Sequence, residues 1–176
     1  MKISAGKAAN FIASPPNGIR AILLYGPDTG LVRERAGVLT KSIVEDPKDP
    51  FRIAEITANE LRDDPARLSD EAAAIAFTGG QRVVRVREAA DTISRPLSDF
   101  CDNPSGDALV IIEAGNLTPR SKLRKAFEDA ECAAAIPCYA DEGRALRDVI
   151  SETLGQSKIR VSADAMSFLL ENLGSD

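Results

Sequence analysis

Five short strand-like runs, separated by segments with helical periodicity, restrict the fold of this sequence more than any other feature. The runs are residues 21–25, 51–57, 83–87, 108–112 and 134–139. Strands that alternate with helices pack into a mostly parallel sheet covered by helices on both faces. The pattern therefore predicts an α/β domain of three layers with a five-stranded sheet.

The chain is longer than one such domain needs. It has 176 residues, and a typical domain has about 150. From Asp141 onward the strand-like runs stop, and two helical stripes follow, the second after Ser162. Two helices cannot enclose a core by themselves, so we expect one domain over residues 1–140 and the unfinished beginning of a helical domain over residues 141–176.

The composition removes several classes of function. The chain has no histidine, which excludes histidine-based nucleophile pairs and histidine zinc ligands. Its three cysteines, Cys101, Cys132 and Cys138, form no C-x-x-C pair, so we predict buried or half-buried thiols rather than disulfides or a zinc site. We expect no metal and no cofactor.

The charge and the terminal segment bear on partners and location. The formal net charge is −5 and the sequence pI is near 4.9, which argues against bulk electrostatic binding to nucleic acid or to an anionic membrane. The sequence has neither an N-terminal secretory signal nor an apolar run of about 20 residues. We therefore expect a cytoplasmic protein without membrane contact.

The turn after the first strand lies where a nucleotide-binding protein of this class has its phosphate loop. It reads Gly26-Pro27-Asp28-Thr29-Gly30. A P-loop needs two glycines with four residues between them, a lysine for the β- and γ-phosphates and a hydroxyl for Mg²⁺. Here the glycines are closer, the lysine is missing and Asp28 brings a negative charge to the phosphate position. The turn predicts a degenerate phosphate loop that binds no nucleotide.

An active enzyme stays open as an alternative. An unusual P-loop-like NTPase or small-molecule kinase would use Arg33 in place of the lysine and Glu113 at the carboxyl end of the fourth strand, where open α/β sheets hold their functional groups. The simpler interpretation of Glu113 is a solvated residue at a strand end. A measurement of nucleotide binding would distinguish such an enzyme from a protein whose phosphate loop is degenerate.

Three stretches, in this order along the chain, carry a resemblance to a known family. They are LLYGPD from residue 23, AIAFTGGQRVVRV from residue 74, and IEAGNL from residue 112 running into RSKLRK from residue 120. Together they make most of residues 19–155 resemble the delta subunit of the bacterial DNA polymerase III clamp loader.

The resemblance implies a fold and a function. Proteins of this family have a RecA-like domain of the AAA+ type without a working nucleotide site, then a helical lid and a helical collar. This chain would be the N-terminal part, with the lid begun and the collar absent. The family binds and opens the sliding clamp (beta) for loading onto primed DNA, together with the tau/gamma and delta prime subunits, and has no catalysis of its own.

The resemblance also implies a clamp contact. In the family it is an apolar pair, usually Leu-Phe, at the tip of a helix. The matching residues here are Ala76 and Phe77; alanine departs from the pattern, and Ile75 is the candidate to compensate. The stripe of Leu68, Ala72 and Ile75 independently predicts a helix that reaches Phe77, whose ring faces a partner or packs into its own domain.

Two groups of basic residues are weaker candidates for a contact with DNA or with a partner protein. Arg120, Lys122, Arg124 and Lys125 lie on a predicted helix that starts at Thr118, and they contact DNA or another subunit, or else form an ordinary solvated face. A second group, Arg82, Arg85 and Arg87, would form a rim near the clamp contact. A stand-alone interaction module unrelated to replication is a third function that the sequence leaves open.

Overall fold

A computed structural model describes residues 1–77 and 79–139 and, beyond them, residues 150–151, 153–155, 161–162, 165–166 and 169. The strands are β1 (Ala21–Tyr25), β2 (Ile53–Thr57), β3 (Val83–Ala89), β4 (Leu109–Ala114) and β5 (Ala133–Pro137). The helices are α1 (Ala5–Ala13), α2 (Thr29–Ile43), α3 (Ala58–Asp63), α4 (Arg67–Ala73), α5 (Ser94–Asp102) and α6 (Lys122–Asp129). Among these described residues, no helix is both long and apolar enough to span a bilayer.

The five strands form one parallel sheet in the order β2-β3-β4-β1-β5. Strand β1 lies between β4 and β5, with Ile22 in register with Ile111 on one side and Ala134 on the other. Every residue of β1, β4 and β5 is buried, which explains why these strands are continuous apolar runs instead of alternating ones. The predicted α/β class and five-stranded sheet are confirmed.

Helices cover both faces of the sheet. On one face α1 and α2 pack on a cluster that includes Ile22, Leu24 and Ile111. On the other face the cluster includes Leu23 and Val110, and its helical members come from α3 to α6. Side chains of successive strand residues point to opposite faces, so each central strand contributes to both cores. The predicted arrangement of three layers is confirmed.

Helix α4 ends earlier than the sequence predicts. The predicted helix carries Ile75 and reaches Phe77, but α4 stops at Ala73 and the backbone of Ala74 is extended. Two tertiary contacts lie at this end: Gly106, at φ +60°, is so close that a Cβ there would overlap the Ala72 carbonyl oxygen, and the Arg82 side chain donates to the Glu71 and Ala74 carbonyls. The helical periodicity of the sequence cannot report such a contact.

The sequence pattern also misplaces the start of one helix and gives no indication of two others. The basic helix starts at Lys122, since Ser121 caps it by accepting a hydrogen bond from the Arg124 N–H, and not at Thr118. Helix α3 was not predicted, although Thr57 and Glu60 form a capping box, a sequence signature of a helix start. Helix α1 was also not predicted.

The chain divides into two compact units, Met1–Tyr139 and Ala140–Asp176. The first contains the whole sheet and all six helices named above. The helices expected in residues 141–176 fall largely outside the described residues. That this second unit begins a lid domain stays a prediction.

Candidate functional site

The N-terminus of α2 is occupied by the chain's own carboxylate. Asp28 caps the helix: its Oδ1 accepts a hydrogen bond of 2.9 Å from the Leu31 N–H, and its carbonyl accepts one of 3.1 Å from the Val32 N–H. Free N–H groups at a helix N-terminus form the natural site for a phosphate. Because Asp28 takes up one of these donors and adds a negative charge, the turn is poorly suited to hold a nucleotide.

Gly26 is required by the packing of this loop against the end of β5. A Cβ on Gly26 would overlap the carbonyl oxygen of Cys138, just after β5. The two segments are joined by a 2.6 Å hydrogen bond from the Cys138 N–H to the Tyr25 carbonyl. Only glycine permits this approach, so a packing requirement is sufficient to explain a glycine that in a P-loop would cradle phosphate.

A cleft of about 220 Å³ lies beside this loop, at the carboxyl ends of β3 and β4. Its lining includes Arg33, Glu88 and Glu113, so the two residues of the enzyme alternative share one cleft. Glu113 is only 6% exposed, and its Oε1 accepts hydrogen bonds from Nε (2.9 Å) and Nη2 (2.5 Å) of Arg85. The prediction of a solvated Glu113 is wrong, because the half-buried Arg85 pairs with it inside the domain. In the described part of the chain, no three metal-binding side chains come together.

Arg85 and Arg87 do not form a rim with the 75–77 segment. Arg85 pairs with Glu113, and Arg87 contacts Glu55 of β2 at 3.2 Å. Both arginines follow Val83 along β3, toward the carboxyl ends of the strands, whereas residues 75–77 precede the amino end of that strand. That rim prediction is wrong.

The 75–77 segment presents two large apolar side chains to solvent. Ile75 is 93% exposed and Phe77 is 95% exposed, while Ala76 between them is 5% exposed. The chain has left α4 at Ala74, whose backbone is extended, and a turn begins at Ala76, where the Gly79 N–H donates to the Ala76 carbonyl at 2.9 Å. The outward pair is thus Ile75 and Phe77, and Ala76 points inward.

Arg82 lies at the base of this segment, and it is buried, with 7% of its surface exposed. Its Nη1 donates to the carbonyls of Glu71 (2.7 Å) and Ala74 (3.5 Å) at the end of α4. Its Nε donates to the Phe51 carbonyl at 3.1 Å, and its Nη2 pairs with Glu71 Oε2 at 3.0 Å. The predicted surface role of Arg82 is wrong, because all these bonds hold it inside.

In the basic segment that includes helix α6, one cationic side chain is buried and the others are exposed. Arg124 is buried: its Nε donates to Glu128 Oε1 at 2.8 Å, and its guanidinium lies 4.9 Å from the centroid of the Tyr25 ring. Arg124 is therefore not placed to contact DNA. The exposed members of the group are Arg120, Lys122 and Lys125.

Asp91 ties α6 to the preceding part of the chain. Its Oδ1 accepts hydrogen bonds from the Ser121 hydroxyl at 2.5 Å and from the Leu123 N–H at 3.0 Å. Partial burial raises the pKa of Asp91, but the hydrogen bonds from Ser121, Leu123 and Lys122 outweigh it and hold the pKa below its usual value of 3.8. The charged carboxylate is thereby favoured in the folded state.

We expect Asp91→Asn to lower the melting temperature at pH 7 and to reduce the loss of stability in acid. A carboxylate whose pKa is depressed in the folded state contributes stability above its unfolded pKa, and this contribution is lost as the pH falls through the folded pKa. The difference in melting temperature between the wild type and Asp91→Asn should therefore shrink from pH 5 down to about pH 2. Asp99→Asn, at an exposed position on α5, is the control; a difference that grows in acid would contradict the assignment.

The three thiols lie as predicted, with Cys101 and Cys138 buried and Cys132 half-buried. Burial raises the pKa of Cys101 to about 12 and also raises the pKa of Cys138. The thiolate is the reactive form of cysteine, so neither group is suited to nucleophilic chemistry at neutral pH.

The sequence pattern indicates neither the buried position of Arg82 nor the hydrogen bonds that Asp91 accepts from Ser121 and Leu123. Both act through main-chain groups of segments distant in sequence, and the local pattern of residues carries no signal for such contacts. Ser121, the partner of Asp91, lies 30 residues away in the sequence, and the predicted helix start at Thr118 gives it no role.

Comparisons with known proteins give one curated relative and similar solved structures. Over 160 residues the chain is 22% identical to a protein described as "Probable DNA polymerase III subunit delta" from Rickettsia prowazekii, which covers 90% of this chain and 46% of that protein. No sequence-family profile matches the chain.

Among solved structures, the DNA clamp loader delta protein of Bacillus subtilis superimposes with a TM-score of 0.67 at 16% identity, covering 95% of this chain and 52% of that one. A DNA polymerase III gamma subunit-related protein from Thermotoga maritima gives a TM-score of 0.52 at 16% identity, covering 85% and 50%. The chain thus has the fold of clamp-loader proteins, and it spans about half the length of the proteins it matches.

Proposed function

We propose that this chain is the clamp-binding part of a delta-type subunit of the DNA polymerase III clamp loader. In this role it binds the sliding clamp and holds it open for loading onto primed DNA, while other subunits hydrolyse ATP. The observation that carries the proposal is the exposure of Ile75 and Phe77 on a segment fixed from inside by Arg82. The similarity to delta proteins over 90% and 95% of the chain supports it.

The apolar pair is suited to a hydrophobic pocket on a partner protein. Leaving an isoleucine and a phenylalanine in water is unfavourable by about 1.5–3 kcal/mol each compared with burial, and aromatic side chains are enriched among the residues that dominate binding energy. In this proposal Ile75 takes the place of the leucine usual in the family. Ala76, which points inward, makes no contact with the clamp.

The test of the proposal is titration of the chain with purified sliding clamp by calorimetry. We expect binding, and we expect Ile75→Ala to weaken it by about tenfold because most of the buried apolar area of that side chain is lost. Val38→Ala is the matched control, since Val38 is also a β-branched residue exposed on the surface, on α2. An unchanged affinity for Ile75→Ala, or an equal loss for Val38→Ala, would contradict the proposed contact.

A second expected result concerns ATP. With Mg²⁺ present, ATP should give no heat of binding, because Asp28 occupies the N-terminus of α2 and no lysine follows it in the loop. Asp28→Ala should lower the free energy of unfolding by about 1 kcal/mol through loss of the cap and still give no heat with ATP. Micromolar binding of ATP to the wild type would instead favour the NTPase or kinase hypothesis.

The remaining roles follow from the same proposal. The partners are the sliding clamp and the other clamp-loader subunits, tau/gamma and delta prime, and primed DNA is contacted within the assembled complex. Arg120, Lys122 and Lys125 are the exposed cations of the basic segment that remain candidates for a DNA or subunit contact. The complete protein would continue with a lid and a collar, and would work in the cytoplasm without an enzymatic activity of its own.

A further inference from the structure

The backbone around the 75–77 segment is held at both of its ends by arginine side chains. At the entry, Arg82 Nη1 donates to the Ala74 carbonyl at 3.5 Å. At the exit, Arg52 Nε and Nη2 donate to the Gln81 carbonyl at 3.2 and 2.9 Å, and Nη2 also donates to the Ile43 carbonyl at 2.9 Å. The fixed ends are only seven residues apart in sequence.

Of the two, Arg82 has the more complete set of bonds. It joins the last carbonyls of α4 to the Phe51 carbonyl that precedes β2, and Glu71 Oε2 pairs with its charge at 3.0 Å. The planar guanidinium can serve these acceptors at once because its donors are fixed in one plane. Arg82 therefore sets the point at which the chain leaves α4.

This geometry decides which side chains face outward. If α4 continued for another turn, Ile75, Ala76 and Phe77 would follow a period of 3.6 residues and point in three different directions. Because the chain leaves the helix at Ala74, whose backbone is extended, and turns after Ala76, Ile75 and Phe77 are both exposed while Ala76 between them is buried. Holding this conformation before binding reduces the entropy that binding must offset.

We infer that Arg82 is a positioning residue for the clamp contact: it touches no partner itself, and it preorganises Ile75 and Phe77 from inside the domain. This inference rests on the proposed function. Its consequence is that the affinity for the clamp depends on a buried arginine whose conservative replacement leaves both contact residues in place.

The test uses Arg82→Lys in the full chain. Lysine keeps the positive charge near Glu71 but loses the planar set of donors, so the Ala74 and Phe51 carbonyls lose their shared partner. We expect the affinity for purified sliding clamp to fall about tenfold, because the segment must then be ordered on binding. We also expect faster hydrogen exchange of the Gly79 amide, which bonds to the Ala76 carbonyl in the ordered segment.

Arg35→Lys is the matched control. Arg35 also donates to a main-chain carbonyl, that of Pro137 at 2.7 Å, but Pro137 is the last residue of β5, at the carboxyl end of the sheet. We expect this variant to bind the clamp like the wild type and to leave exchange of the Gly79 amide unchanged. An equal loss of affinity in Arg82→Lys and Arg35→Lys would show that both substitutions act by lowering the overall stability of the domain. That result would overturn the inference.

The outcomes separate this inference from the proposed function. If the wild type binds the clamp and Arg82→Lys binds it equally well, the positioning role is refuted while the function stands. If the wild type does not bind, the proposed function fails, and the exchange of the Gly79 amide in Arg82→Lys still tests the ordering. Unchanged exchange of that amide overturns the inference in either case.

Discussion

Phe77→Ala should weaken binding of the sliding clamp by thirtyfold or more and leave the melting temperature of the chain within about 1 °C of the wild-type value. Thirtyfold corresponds to about 2 kcal/mol, the loss typical of a residue that dominates an interface. The measurements are calorimetric titration with the clamp and a circular-dichroism melt of each protein.

The two parts of this expectation have one cause. With 95% of its surface in solvent, Phe77 buries almost no apolar area when the chain folds, so its removal costs little folding free energy. The same ring is free to bury most of its area against a partner. Phe77→Leu is the graded variant, because it keeps much of the apolar area and should retain part of the affinity.

Two results would contradict the expected behaviour of Phe77→Ala. A melting temperature that falls by several degrees in Phe77→Ala would mean that the ring packs into its own domain, as one of the sequence-based alternatives holds. Normal clamp binding by Phe77→Ala, together with normal binding by Ile75→Ala, would remove the 75–77 segment from the interface altogether.

Gly26→Ala should lower the free energy of unfolding by about 3 kcal/mol, the largest effect on stability that we expect from a single methyl group in this loop. For a chain of this size, each kcal/mol corresponds to about 2–4 °C, so the melting temperature should fall by about 10 °C. The new Cβ would overlap the Cys138 carbonyl oxygen, and neither segment can yield easily, because the Cys138 N–H is bonded to the Tyr25 carbonyl.

Gly30→Ala is the control for this prediction. Gly30 lies in the first turn of α2, and the nearest atom to a Cβ there is Asp28 Oδ1 at 3.2 Å, which belongs to a side chain. Alanine is favoured over glycine in a helix by about 1 kcal/mol, which offsets the close contact. A small effect for Gly26→Ala, similar to that of Gly30→Ala, would show that the backbone of the loop adapts and that packing does not require Gly26.

The parts of the fold that could be predicted are those whose local sequence reflects their burial. Strands β1 and β4 are buried on both faces, so they appear as unbroken apolar runs whatever surrounds them. Helix α2 likewise shows its buried stripe of Val32, Ala36 and Leu39 as a spacing of three and four residues. In these elements a single physical effect, apolar burial, determines both the sequence pattern and the structure.

The parts that could not be predicted depend on distant partners. Helix α4 ends at Ala73, where Gly106 packs on the Ala72 carbonyl and Arg82 binds the Ala74 carbonyl. Ile75 therefore lies on the surface instead of in the predicted buried stripe. Glu113 is buried only because Arg85, 28 residues away, neutralises it. The family resemblance predicts Ala76 and Phe77 as contact residues, but which residues of the 75–77 segment face outward depends on a backbone conformation that helical periodicity does not encode.

The cap that Asp28 forms at the N-terminus of α2 also makes it difficult for this domain to acquire an ATP-binding site by mutation. Introducing the missing lysine alone would leave the Asp28 carboxylate at the place where a triphosphate must sit, and removing Asp28 alone would cost stability without supplying a cationic ligand. Widening the loop around Gly26 would have to be accompanied by a shift of the Cys138 backbone. Creating an ATP site would thus require several simultaneous changes, none of which is useful by itself, so that the gain of such a site by single substitutions is strongly disfavoured.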